Sequence, residues 1–147
     1  MKKIYSKVFG GTVSIESMGM FPEPQSRSWL LQDDIEVIGA ELALSINQAS
    51  ENDGYSYLRM ELSQTGNISS DGQILEAVAG EYWNTAPPFG ALAHAHPVVT
   101  FPEGYAVPIK EEGYLYLNFQ GTGKSAGTDF YNYKAIVYYT KGNPRRK

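Results

Sequence analysis

Along much of this chain apolar and polar side chains alternate one by one, the period of a strand with one face on a core. The pattern is clearest from Gly113 to Gln120, where Leu115, Leu117 and Phe119 share a face and Tyr114, Tyr116 and Asn118 share the other. It returns from Phe130 to Tyr139, where Tyr131, Tyr133, Ala135, Val137 and Tyr139 oppose Phe130, Asn132, Lys134, Ile136 and Tyr138. Two shorter strands are predicted at Val98–Phe101 and Tyr105–Ile109, set off by Pro-Glu-Gly and Glu-Glu-Gly turns. Aromatic residues on both faces imply that part of the outer face is covered by other polypeptide.

Further upstream, Trp29-Leu30-Leu31 is a short apolar run and Asp33-Asp34 a turn. From Ile35 to Ile46 the alternation changes phase: Ile35 and Val37 share a face, whereas Ala40, Leu42, Leu44 and Ile46 share one of opposite parity. Gly39 stands at the change, which predicts a β-bulge or corner there. After a polar turn ending in Asn52-Asp53-Gly54, Tyr55–Gln64 reads as a strand paired with its predecessor. Its inward residues are Leu58, Met60 and Leu62, and its outward ones Tyr57, Arg59 and Glu61. Ile74, Leu75, Val78 and Tyr82 fall at helical spacing, so the segment 73–82 admits one short helix. About eight strands in all predict an all-β fold, an antiparallel β-sandwich of jelly-roll type.

The first 28 residues read as an N-terminal arm. Ile4–Val8 and Val13–Ile15 alternate as two short strand pieces split by Gly10-Gly11, and Pro22 and Pro24 then hold the chain extended. Ile4, Tyr5, Val8, Phe9 and Phe21 are the arm's candidate assembly contacts. The sandwich is expected over residues 29–140. A basic tail, 141–147, follows with Lys141, Arg145, Arg146 and Lys147; it is either a solvated terminus or a contact for an acidic surface.

Composition narrows the function classes. A chain of 147 residues suits one domain, and a formal net charge of −4 argues against a nucleic-acid footprint. There is no cysteine, so disulfides and thiolate metal sites are excluded. The opening MKKIYSKVFGG lacks the apolar run of a signal peptide, and no stretch is long and apolar enough to span a membrane. Tyrosine is in excess, 11 against 6 Phe and 2 Trp, which suits half-buried strand faces and interfaces.

Candidate chemistry is sparse. Gly121-Thr-Gly-Lys-Ser ends like a phosphate-binding loop, but Asn118 stands where the first glycine belongs and a strand follows instead of a helix. His94 and His96 fall on one side of an extended backbone, yet the carboxylate and third histidine of a cupin-like metal centre are missing. Asp33-Asp34 and Glu111-Glu112 sit in turns, where adjacent carboxylates stay hydrated. No serine occupies a nucleophile elbow. The reading is therefore no enzyme, no cofactor and no metal. Trp29, Trp83, Tyr114, Tyr116, Tyr131 and Tyr133 remain as contacts for a partner or a glycan, with core packing as the alternative role.

The segment FPEGYAVPIKEEGYLYLNFQGTG from Phe101, with KAIVYYTK from Lys134, resembles the C-terminal half of small jelly-roll proteins of tailed-phage virions. The likeness covers about a quarter of the chain and rests on structural residues. It implies a capsid-decoration, tail or fibre-associated protein, located in the virion after synthesis in the host cytoplasm. Its partners would be copies of itself, as a trimer or ring, and other virion proteins, with no membrane. The rival is a lectin-like carbohydrate-binding sandwich.

Overall fold

A computed structural model describes residues 3–16, 26–48, 54–66, 72–83, 94–102, 104–123 and 127–141, with backbone alone at 47, 48, 54, 55, 81–83 and 94. Ten strands run through them: β1 (Tyr5–Ile15), β2 (Ser26–Leu30), β3 (Ile35–Gln48), β4 (Gly54–Ser63), β5 (Gln73–Trp83), β6 (His94–Ala95), β7 (Val98–Thr100), β8 (Val107–Ile109), β9 (Tyr114–Thr122) and β10 (Asp129–Lys141). All pairings are antiparallel and nested: β1 with β10, β2 with β9, β3 with β6, β7 and β8, and β4 with β5. Nested pairing is what a single long hairpin gives when it is rolled up. It closes through β10 on β3 and β9 on β4, leaving one sheet ordered β1-β10-β3-β6 and another ordered β2-β9-β4-β5. This is a β-sandwich of jelly-roll connectivity.

The inward residues of the two sheets form the core. From β3 come Val37, Ala40, Leu42 and Leu44, from β4 Leu58, Met60 and Leu62, from β9 Leu115 and Leu117, and from β10 Tyr131, Ala135 and Val137. Each fully buried Leu contributes about 1.5–3 kcal/mol relative to exposure. The phase change of β3 is a bulge: Tyr138 pairs with Gly39 but Tyr139 with Val37, so Ile38 is passed over. Gly39 is required there because a Cβ would sit 2.9 Å from the Val99 carbonyl oxygen.

The structure differs from the sequence reading in four places. Residues 73–83 are strand β5, not a helix; Leu75, Ala77 and Ala79 carry its strand period, and two alanines made that period faint. β4 does not pair with β3 but crosses to the opposite sheet, between β5 and β9. Gly10-Gly11 does not split the first strand, because β1 runs unbroken through both and pairs along β10 from Tyr5 to Ile15. Glu61 points outward from β4 yet is fully buried.

The two sheet edges of the larger layer are unlike. On one side lies β1, eleven residues long. On the other, one strand position is filled by three pieces, β6, β7 and β8, all on β3. Pro97 and Pro102 stand at the breaks and Pro108 inside β8, each removing a ladder donor where only an edge tolerates it.

Candidate functional site

Three surfaces carry the chemistry. The first is the mouth of the sandwich, where edge strands β1 and β2 lie over the open end of the core. Strand alternation aims Tyr5, Lys7 and Phe9 inward from β1, and Arg27 and Trp29 inward from β2. Each cation covers rings: Lys7 Nζ lies 5.7 Å from the Phe9 centroid and 5.4 Å from that of Trp29, and the Arg27 guanidinium 5.3 Å from Phe119 and 5.8 Å from Tyr133. Such contacts hold a charge over an apolar opening without burying it unpaired. Beside them Tyr5 stacks on Tyr139 at 5.5 Å and Trp29 meets Tyr139 at 5.3 Å. Lys141 closes the cluster, 4.8 Å over the Tyr5 ring and 3.4 Å from Asp33 Oδ2.

Two depressions open here. A cavity of ≈ 300 Å³ is walled by Trp29, Leu31, Gln32, Asp33, Tyr139 and their neighbours. A shallower groove of ≈ 570 Å³ follows the seam between β1 and β2.

The second surface is the outer face of the larger sheet. Register puts Val8, Ile136, Glu41 and Val98 in one row across four strands. Val8 is 52% exposed and Val98 62%. Glu41 anchors a hydrogen-bonded trio, accepting from the Tyr138 hydroxyl at 2.5 Å and lying 3.1 Å from His96 Nε2. The Tyr138 bond, then the His96 bond, hold the Glu41 carboxyl below the usual carboxylate range, against a smaller upward push from burial. The same bond to Glu41 raises the Tyr138 phenol.

The third is the outer face of the smaller sheet. Tyr114 and Tyr116 stack at 5.6 Å and 26°, with Leu30 opposite Tyr114. Farther along, Asn118 is buried, accepting from Ser26 Oγ at 2.8 Å and donating to the Thr65 carbonyl at 2.9 Å, while Gly66 lies against the Tyr116 ring. The chain beyond β4 thus turns back over this end of the face. Glu61 is covered beside Arg59, whose guanidinium reaches Glu76 at 3.0 Å.

The residues singled out from sequence therefore separate. Trp29 is in the mouth with Tyr5 and Phe9, Tyr114 and Tyr116 are paired on the outer face of the smaller sheet, and Ile4 and Val8 are exposed. Tyr131 and Tyr133 are both buried: the Tyr131 hydroxyl hydrogen-bonds Ser56 Oγ at 2.8 Å, and Tyr133 lines the groove between β1 and β2. Lys141 ends β10. Phe21, the side chain of Trp83, Arg145, Arg146 and Lys147 lie outside the described residues. So do Lys124 and Ser125 of the Gly121–Ser125 loop, whose first two residues end β9. Of the paired histidines, His96 is engaged by Glu41, and the His94 side chain is outside the described residues. The acid pairs meet in a turn, with the Glu111 amide donating to Asp34 Oδ1 at 2.8 Å. Among the described residues no three His, Cys, Asp or Glu side chains are grouped as a metal site.

The Glu41, His96, Tyr138 trio escaped the sequence reading because its members come from β3, β10 and the β6–β7 connection, and only register unites them. The one local signal was that all three stand at outward positions.

No family model and no curated protein matches this chain. Among solved structures it is similar to the 60-mer BFDV capsid protein, at 8% identity and a TM-score of 0.44 over 99% of this chain and 98% of that one. It is also similar to the Eiger TNF of S. frugiperda, at 10% identity and a TM-score of 0.41, with 98% of each chain covered. A third likeness is to the Triatoma virus empty capsid, at 9% identity and a TM-score of 0.41 over 94% of this chain and 72% of that one.

Proposed function

We propose that this chain is a non-enzymatic structural component of a virus particle, a bacteriophage decoration or tail-associated protein that assembles with copies of itself as a closed trimer or ring. The observation that carries the reading is the outer face of the larger sheet, where exposed Val8 and Val98 and half-buried Ile136 stand in one row about Glu41, with exposed Ile4 nearby. Large apolar side chains aligned across a regular sheet are poorly placed for solvent and well placed for a flat neighbouring surface. The likeness of residues 101–139 to virion jelly rolls supports the same reading.

The test is native mass with particle incorporation. The purified chain is expected as a closed oligomer, and Val8→Asp with Val98→Asp should release monomers that melt as the parent does but no longer enter particles. A parent chain that stays monomeric at high concentration and is absent from particles refutes the proposal.

One observation favours a second reading. The ≈ 300 Å³ cavity beside Trp29 and Tyr139 offers aromatic faces with Gln32 and Asp33 at its wall, a set that suits a sugar ring. Glycan binding by the isolated chain, lost in Trp29→Ala, would favour a lectin-like module.

A further inference from the structure

We propose that the open edge of β1 receives an extended acidic segment of a partner polypeptide, which adds antiparallel to the larger sheet and lays its carboxylates along the seam between β1 and β2. The inference rests on the assembly reading for the partner being a protein subunit, and it assigns that partner a site and a charge.

The backbone comes first. Among the described residues β1 is terminal in its sheet and pairs with β10 alone, and from Tyr5 to Thr12 it is exposed or half-buried, whereas Val13, Ser14 and Ile15 are buried. An edge of that length offers a row of donors and acceptors to another strand. Its outward residues favour a chain over a small molecule: Ile4 and Val8 are 60% and 52% exposed and would gain cross-strand apolar neighbours.

Charge decides the kind of strand. The groove along the seam is lined by Lys7, Val8, Phe9, Gly10, Ser26, Arg27, Ser28 and Tyr133, which include two cations and no carboxylate. Lys3 precedes β1 and adds a third cation, over the Tyr5 ring at 5.3 Å. A chain of net charge −4 thus turns a positive strip toward its open edge. The strip disfavours self-pairing of β1 in the register that sets Lys3 and Lys7 against Lys7 and Lys3 of a second copy, because like charges facing across strands are destabilising. It fits an acidic strand.

Spacing makes the motif specific. Lys3 and Lys7 are four residues apart on the same side of the strand, about 13 Å at roughly 3.3 Å per residue. The added strand should therefore carry acidic residues four positions apart, with apolar residues opposite Ile4 and Val8.

The peptide Val-Glu-Thr-Thr-Val-Glu-Thr, capped at both ends, meets this pattern when it runs antiparallel to β1, and its counterpart with lysine for glutamate does not. Calorimetry on the isolated full chain at low salt is expected to show the acidic peptide binding at least tenfold tighter, with loss of that preference at high salt. Hydrogen exchange should show new protection along β1. The double variant Lys7→Glu, Arg27→Glu should reverse the preference; should it fail to fold, Lys3→Glu alone should reduce it several-fold. Equal affinity for the two peptides, binding of neither, protection elsewhere, or tighter binding of an oligo-dT strand overturns the inference. Because the titration uses the isolated chain, its failure is distinguishable from failure to enter a particle.

Discussion

Deleting residues 1–24 separates an arm from a strand. An arm that only reaches neighbours could be removed and leave a folded domain behind. In this structure the deletion removes β1, and with it Val13 and Ile15, which are 0% and 1% exposed. Burial of two such side chains stabilises by about 3–6 kcal/mol together. The loss of the β1–β10 ladder adds to this, in a protein whose whole stability is expected near 5–15 kcal/mol. The truncated chain should therefore show no cooperative thermal transition by circular dichroism and should aggregate. A milder probe is Ile15→Ala, expected to cost about 2–5 kcal/mol, or a fall of about 6–15 °C at roughly 3 °C per kcal/mol for a chain of this size. A truncated protein that melts cooperatively within a few degrees of the parent would refute the placement of β1 in the sandwich.

Three other features that packing or register created can be probed by substitution. Tyr131→Phe leaves Ser56 Oγ buried without its partner and should cost about 2 kcal/mol, while the double variant with Ser56→Ala should cost less than the two singles summed, by denaturant titration. Gly80→Ala should lower stability by about 1–3 kcal/mol or more, because the new Cβ would fall 2.3 Å from the Ser56 carbonyl oxygen and the backbone of β4 cannot retreat. The Glu41 carboxyl is held low, so its contribution is present above its ordinary value of 4.5 and lost as pH falls through the lowered value. Tyr138 is raised, so its share is present below its ordinary value of 10.0 and lost as pH rises through the raised one. Tyr138→Phe and His96→Ala should each move the Glu41 midpoint upward, Tyr138→Phe the further, as followed by carboxyl carbon shifts.

What could be read from sequence was whatever alternates locally. β9 and β10 announced both their extent and their two faces, and the phase change at Gly39 announced a bulge before any partner strand was known. β5 was hidden because alanines occupy its inward positions, leaving Ile74, Leu75 and Val78 to suggest a helical stripe. The faces of β10 were found, but not which one is inward: tyrosines at 131 and 133 look like surface residues until Ser56 is seen to take the hydroxyl of the first and Phe119 the ring edge of the second, at 4.9 Å. Lys7, Arg27 and Trp29 gave no signal of their proximity. They meet because nested pairing brings the third ten of the chain beside its start, and strand pairing is long-range information.

The division of one edge into β6, β7 and β8 limits the valency of the larger sheet. Extension of a sheet repeats only if each newcomer exposes, on its far side, the same continuous ladder it was offered. Here the far side is interrupted by prolines and offers at most three consecutive residues at a time. A strand taken up at the first side has no successor on the second, so growth by this route stops after one step. Such a subunit can be tethered through its sheet without being drawn into a fibre.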